Sequence, residues 1–334
     1  MKENHLALYR KYRPQTFSDV VGQEQLVTLL EGAIKQNKVS HAYLFCGSRG
    51  TGKTTVARIF ANLIGCNPED IIEIDAASNR GIDEIRELRE AVRTAPFSSP
   101  YKVYIVDEAH MLTKEAANAL LKTLEEPPSH VVFILATTDP NKLPQTIVSR
   151  CQKINFKQPD NKTLADRLVY IAEKEDKTIT NESAELIARH SMGSYRDAIG
   201  ILEQVLTTGG KKIKDEDVKV SLGTPDKELL ITLLEMLCLK DGKQILEIIE
   251  KLNSNNSSAI KTYDEFLEIL RQGLIIRVGA SEEKGELARF AKEYPHTIGS
   301  KTILELLDKR HLLEVSDAHA WTAFRAVLLS IIEV

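Results

Sequence analysis

The chain is 334 residues long, 43% hydrophobic and 28% charged, which is globular composition with material for two or three domains. Its 44 basic and 48 acidic residues leave a net charge of −4, so no global positive field draws it to nucleic acid, although a local basic stripe, or one assembled from several copies, would leave that total unchanged. No two of Cys46, Cys66, Cys151 and Cys238 stand close enough in sequence to form a metal-ligand pair. The opening MKENHLALYRKYR lacks the apolar core of a leader, and no run of about 18 apolar residues occurs, so the expected setting is a reducing cytoplasm without membrane contact.

Residues 5–21, HLALYRKYRPQTFSDVV, are basic and aromatic. Tyr9, Arg10, Tyr12, Arg13 and Pro14 suit an extended segment that packs a flat purine against a hydrophobic wall, with Val20 and Val21 as wall residues. A surface arm folded onto the core is the competing reading. From Gly22, apolar residues at Leu26, Leu29, Leu30, Ala33 and Ile34 mark an amphipathic helix.

The stretch HAYLFCGSRGTGKTT, residues 41–55, holds an apolar strand, then Gly47-Ser48-Arg49-Gly50-Thr51-Gly52-Lys53-Thr54-Thr55, then an apolar-faced helix beginning VARIFANLI. This is the P-loop pattern G-x-x-x-x-G-K-[ST] in its strand–loop–helix context. Its glycines let successive backbone N–H groups turn inward on a triphosphate, and the helix N-terminus adds partial positive charge. Lys53 can reach the outer phosphates, and Thr54 can ligate Mg²⁺. The pattern implies ATP or a related nucleotide, with magnesium.

Next come a strand at Ile71–Asp75, a polar turn, and a helix from about Ile82 to Thr94 that carries Arg80, Arg86, Arg89 and Arg93. Asp83, Glu84, Glu87 and Glu90 alternate with these arginines. A solvated face with i,i+4 ion pairs and a phosphate-tracking face in an assembled ring both fit. The strand in YKVYIVDEAHML then ends in Asp107-Glu108, at the strand end where open α/β sheets bind ligands. Asp107 suits the magnesium shell, and Glu108 suits orienting and polarising an attacking water.

Thr113 caps a helix, KEAANALLKTLEE, which Pro127 and Pro128 stop. The buried-type strand HVVFILATTDP ends in Thr137-Thr138, where a hydroxyl could touch the γ-phosphate or the lytic water; ordinary strand-end capping is the alternative. Arg150 closes a short helical segment away from this chain's own P-loop, so in a ring it could reach a neighbour's γ-phosphate as an arginine finger. After Phe156 no further strand-like run is expected. ADRLVYIAEKE, ESAELIARHS and YRDAIGILEQVLTT form a small helical unit, in which Arg196 could swing over bound phosphates or pair with Asp197 or a nearby glutamate at the surface. A polar linker then leads, from about Lys227, to four or five helices with dense apolar stripes, suited to a bundle core or to packing in a larger assembly.

Taken together, YRKYRPQTFSDVVGQ, HAYLFCGSRGTGKTT, IIEIDAASNRGIDEIRELRE, YKVYIVDEAHMLTKEAANALLKTLEEPP, VVFILATTDPNKLPQTIVSRC and GSYRDAIGILEQ resemble, in order and spacing, the clamp-loader family of AAA+ ATPases, in particular its bacterial motor subunits of the gamma/tau type. The resemblance implies an α/β AAA+ P-loop core with a parallel sheet over residues 1–157, a small helical lid over 158–215, and an all-α collar over 216–334. It also implies ATP-driven opening of a sliding clamp and its closure on primer–template DNA, with Mg²⁺ as cofactor. The implied partners are delta-like and delta-prime-like subunits, further gamma-type copies, the clamp, and DNA held through its phosphates. Matched residue by residue, 47–55 fall on the Walker A segment, Asp107-Glu108 on Walker B, Thr138 on sensor 1, Arg150 on the trans arginine finger and Arg196 on sensor 2. Tyr9, Arg13, Pro14, Val20 and Val21 fall on the adenine side.

Two features depart from that pattern. The bacterial family usually inserts a four-cysteine zinc module after the P-loop helix, whereas here Cys66 is followed only by NPED before the next strand, so no zinc is expected. Nothing after Val334 corresponds to the long tail of the tau form, which reads as a gamma-like chain or a shortened one. Within the family a non-hydrolysing scaffold subunit is the rival function, and outside it a related ATPase of recombination or repair.

Overall fold

A computed structural model describes residues 6–78, 81, 87–88, 90–223, 225–254, 257–281, 285–314 and 317–332. Arg80, Arg86 and Arg89, with Ile82, Asp83 and Glu84, lie outside the described residues. The chain divides into two compact units, Met1–Lys214 and Asp215–Val334.

Five runs rich in β-branched and aromatic residues build one parallel sheet in the first unit: β1 (Ala42–Cys46), β2 (Ile71–Asp75), β3 (Lys102–Asp107), β4 (Val131–Thr137) and β5 (Gln152–Asn155). Their order is β2-β3-β4-β1-β5. Every residue of β1 and β4 is buried, as expected of central strands covered on both faces, whereas edge strand β5 buries only Ile154. Alternation along β1 sorts the core. Tyr43 and Phe45 pack with Leu26, Leu30, Val56 and Phe60 from the helices Glu24–Lys35 and Lys53–Leu63. Leu44 and Cys46 pack on the other face with Leu120 and Leu124 of the helix Lys114–Glu125. Each of these valine, leucine and phenylalanine side chains contributes roughly 1.5–3 kcal/mol when fully buried. The register carries the functional consequence. Cys46 pairs with Thr137 and Val106 with Leu135, so the loops leaving β1 and β3 emerge at one end of the sheet with Thr137 and Thr138 between them.

Three capped helices follow Phe156, at Asn161–Lys174, Asn181–His190 and Tyr195–Thr208. The side chains of Asp160, Thr180 and Ser194 accept from the backbone N–H groups of Thr163, Ser183 and Asp197. Contrary to the expectation that no strand follows Phe156, β6 (Thr178–Ile179) and β7 (Lys212–Ile213) form a two-residue parallel ladder across this helical unit. Two residues are too short to leave an alternating pattern.

In the second unit the regular elements among the described residues are all helices and share one core, in which Tyr263, Phe266 and Phe324 are fully buried. Tyr263 meets Phe324 edge-to-face at 5.2 Å and donates its hydroxyl to Leu306 O at 2.7 Å. From Lys227 onward there are six α-helices among the described residues rather than four or five. The Tyr294–Gly299 stretch breaks the apolar stripe between Glu286–Glu293 and Ser300–Lys309. Cys66, in the first unit, is buried and donates its Sγ–H to Tyr101 O at 3.0 Å, and burial pushes its thiol pKa up to about 11.

Candidate nucleotide site

The loop leaving β1 is held open by its glycines. The Gly47 N–H continues the ladder to Thr137 O at 3.2 Å, and a Cβ at Gly47 would lie 2.7 Å from Phe156 Cβ. Gly50 and Gly52 have φ of +74° and +98°, the left-handed region that glycine enters without strain. Thr51 Oγ1 donates back to Ser48 O at 2.9 Å and closes the turn, while Ser48 and Arg49 stay exposed. Gly52 caps the helix Lys53–Leu63, whose first-turn amides have no acceptor within the helix and face the cleft end.

The helical unit touches this loop at Gly50. Tyr195 N donates to Gly50 O at 3.0 Å, and a Cβ at Gly50 would stand 2.0 Å from Ser194 Oγ. Gly50→Ala is therefore expected to combine backbone strain with a clash and to destabilise the first unit by about 1–3 kcal/mol. A lowered midpoint in thermal or urea unfolding would show it, and an unchanged midpoint would mean that the helical unit does not rest on the loop.

Lys53 is buried, and its Nζ donates to Gly47 O at 2.8 Å and Ser48 O at 2.9 Å. Burial pulls its pKa below the ordinary lysine value, while the Glu108 and Asp107 carboxylates push the other way. An ammonium satisfied only by loop carbonyls can exchange these neutral acceptors for anionic phosphate oxygens, which make stronger bonds. Across the cleft floor, Thr54 Oγ1 donates to Asp107 Oδ2 at 2.7 Å. A hydroxyl beside a carboxylate is a hard-oxygen donor pair that fits Mg²⁺ held jointly with phosphate.

Glu108 follows with φ 47° and ψ 44°, a left-handed conformation that costs a non-glycine residue roughly 1–3 kcal/mol. Its own N–H is tied to Asp107 Oδ1 at 3.0 Å. The turn Ala109–Met111 then brings His110 back beside it: His110 Nδ1 lies 3.3 Å from Glu108 Oε2 and 3.1 Å from Thr137 Oγ1. Thr138 Oγ1 donates to the same Glu108 Oε2 at 3.1 Å, and Thr137 Oγ1 caps the strand end by accepting from Asp139 N at 3.0 Å. The Thr137 hydroxyl thus caps the strand end, and the Thr138 hydroxyl sits on the acid. In the sequence His110 is only the last letter of a D-E-x-H string, and nothing else local marks it out.

Tyr9, Arg13, Pro14, Val20, Val21, Asp107, Glu108, Arg196 and residues 49–56 line one cleft of about 950 Å³, large enough for a nucleoside triphosphate. The N-terminal segment is not extended throughout as expected: Leu8–Lys11 forms a helical turn with Leu8 buried beneath it. Among the described residues Arg196 forms no ion pair with Asp197 or a glutamate; its guanidinium lines the cleft and lies over the Tyr9 ring at 5.1 Å, with Arg10 at 5.8 Å. Arg10 first, then Arg196, lowers the Tyr9 phenol pKa. Arg13 Nε donates to Thr55 Oγ1 at 3.0 Å, and burial lowers its pKa. The same segment grips the helical unit: Lys11 and Tyr12 both reach Glu175, Arg167 Nη2 donates to Tyr12 O at 2.9 Å, and Tyr195 OH donates to Val21 O at 3.0 Å. Arg150 stands apart from the cleft, paired with Glu125 at 2.5 Å and donating to Thr146 O at 2.8 Å.

A P-loop after the first strand, an acidic pair after the third, a fourth strand inserted between them and a helical unit resting on the loop define an AAA+ P-loop fold. RuvB of Thermotoga maritima, a Holliday junction branch migration motor, superposes with a TM-score of 0.54 over 68% of this chain and 79% of its own, at 23% identity, a likeness of fold. The family described as DNA polymerase III, delta subunit, matches residues 22–80 and 68–160. The gamma subunit of DNA polymerase III from Buchnera aphidicola subsp. Baizongia pistaciae is 34% identical over 88% of this chain and 85% of its own length. The tau subunit from Bacillus subtilis is 38% identical over 91% of this chain and 59% of its own length, and that from Escherichia coli 38% over 82% and 45%. The chain belongs to the DNA polymerase III gamma/tau family. It spans about half the length of the tau relatives it matches.

Proposed function

We propose that the chain is an ATP-hydrolysing motor subunit of the DNA polymerase III clamp loader, which opens the sliding clamp and closes it on primer–template DNA. The observation that carries this reading is the Thr54 Oγ1–Asp107 Oδ2 bond at 2.7 Å beside the buried Lys53, since it joins both halves of a hydrolytic nucleotide site. Residues 47–55 grip the phosphates, Lys53 neutralises the outer ones, and Thr54 and Asp107 hold magnesium. Magnesium, when bound, offsets charge on the transferred phosphoryl group. Glu108 aligns water, Thr138 and Arg196 register the nucleotide's state, and Tyr9, Arg13, Pro14, Val20 and Val21 form the adenine side. Arg150 serves a neighbouring subunit. In this reading residues 1–157 are the core, 158–215 the lid and 216–334 the collar, and DNA is held through phosphates, with the salt dependence that follows. The partners are delta-like and delta-prime-like subunits, further copies of this chain and the clamp, in the cytoplasm. Among the described residues no helix is long and apolar enough to cross a membrane.

A scaffold role without hydrolysis is disfavoured because Lys53, Asp107 and Glu108 are all kept. The likeness to RuvB is one of fold and gives no reason to prefer a recombination substrate. The test is calorimetric titration with MgATP, followed by hydrolysis assays with clamp, partner subunits and primed DNA. Wild type should bind, and clamp with DNA should accelerate turnover. Lys53→Ala should weaken binding by about 100-fold or more, because it removes a charged partner of the phosphates. Folded wild-type protein that ignores adenine nucleotide in the presence of magnesium would overturn the reading.

A further inference from the structure

We propose that His110 is a positioning residue for ATP hydrolysis: its Nδ1–H and the Thr138 hydroxyl together hold Glu108 Oε2, so that Oε1 is left to accept from the attacking water. The inference rests on the proposed ATPase function and adds to it a residue with no assigned role. His110 Nδ1 is 3.3 Å from the carboxylate oxygen, and its side chain is only 10% exposed. A bare nitrogen lone pair at that distance from a carboxylate would be repulsive, so the neighbours assign the proton to Nδ1. Thr137 Oγ1, the other atom near Nδ1, already takes the Asp139 N–H and tolerates a second donor. Thr138 Oγ1 adds another donor to Oε2 at 3.1 Å, whereas Oε1 makes no hydrogen bond among the described residues.

The placement is directional. Glu108 lines the cleft and His110 does not, so the imidazole supports the carboxylate from behind without occupying space needed by nucleotide or water. The left-handed Glu108 backbone and the short turn after it, closed by Met111 N donating to Glu108 O at 2.8 Å, fold the chain back far enough for residue 110 to reach residue 108. An unsupported carboxylate could rotate about its side-chain bonds toward the nearby Lys53 ammonium. A displacement of about 1 Å at a reacting group costs on the order of 100-fold in rate.

The test measures steady-state hydrolysis in the assembled loader with clamp, primed DNA and MgATP. His110→Ala should lower kcat about 10- to 100-fold. KM for ATP and the calorimetric Kd should stay within about twofold, because Glu108 acts on the transition state rather than on ground-state binding. His110→Asn, whose amide N–H can stand where Nδ1–H stands, should recover most of the rate, and His110→Gln, which reaches toward the Nε2 position, should not. In a Glu108→Gln background His110→Ala should add less than about twofold, since both act through one group. The inference is overturned if His110→Ala turns over at the wild-type rate, if Asn and Gln restore it equally, or if the rate losses simply track lowered melting temperatures. The contrast between Asn and Gln remains readable even where the Ala variant unfolds. Wild-type protein without any ATPase activity would instead remove the proposed function, a distinguishable failure.

Discussion

Glu108→Gln is expected to bind MgATP about as well as wild type and to hydrolyse it about 10²–10⁴-fold more slowly, the range seen when a general base is lost. The amide is nearly isosteric with the carboxylate, and its carbonyl oxygen can still accept from Thr138 Oγ1 and His110 Nδ1, so the site keeps its shape. What changes is the group presented to the cleft, an amide N–H₂ that cannot accept a proton from water. Binding should survive because its determinants lie elsewhere: Lys53 on the loop carbonyls, the Thr54–Asp107 pair, and the first-turn amides of the helix beginning at Lys53. One electrostatic consequence runs in favour of binding. Glu108 is a negative charge near the phosphate position, and its removal lessens repulsion there, while Asp107 remains to support the Lys53 charge. Equilibrium titration and a single-turnover assay separate the two effects. Full turnover by the variant would show that Glu108 is not the group that prepares water.

The nucleotide loop and its acidic partner could be read from the sequence because each is a contiguous string whose chemistry depends on neighbours a few residues away. Glycines at 47, 50 and 52 and an ammonium at 53 announce an anion cradle without any knowledge of the sheet. His110 could not be read in the same way. Its place beside the acid depends on Glu108 taking a left-handed turn and on β4 inserting between β1 and β3, a parallel register set by long-range pairing. The signal that could have found it is the D-E-x-H string itself, since a turn after a strand end is where a residue two positions on can face back. The N-terminal segment failed as a forecast of extended chain for a related reason. Leu8–Lys11 is one helical turn, too short for periodicity, and it is stabilised by burying Leu8 and by stacking Tyr9 against Arg196, a residue far along the sequence. The same limit applies to β6 and β7, whose pairing joins residues 178–179 to 212–213.

Arg150→Ala should leave the isolated chain's nucleotide affinity and stability almost unchanged while lowering hydrolysis in the assembled loader by about 10³–10⁵-fold, the contribution of an arginine finger supplied in trans. The first half follows from where the side chain sits. Arg150 is absent from the cleft lining and pairs with Glu125, with the two side chains 34% and 47% exposed. An ion pair at that exposure contributes at most about 1 kcal/mol, so its loss shifts an unfolding midpoint little, and the guanidinium leaves Glu125 at small cost. The second half follows from charge. A planar guanidinium offers paired N–H donors to phosphoryl oxygens, which a lysine ammonium cannot reproduce, so Arg150→Lys should recover only a small part of the rate. Mixing experiments make the trans assignment specific. A loader that combines Lys53→Ala copies with Arg150→Ala copies retains activity only at interfaces where an intact P-loop meets an intact Arg150, so turnover should depend on the mixing ratio rather than on total protein. An Arg150→Ala loader that hydrolyses ATP at the wild-type rate would move the finger to another residue and leave the Arg150–Glu125 pair as an ordinary surface contact.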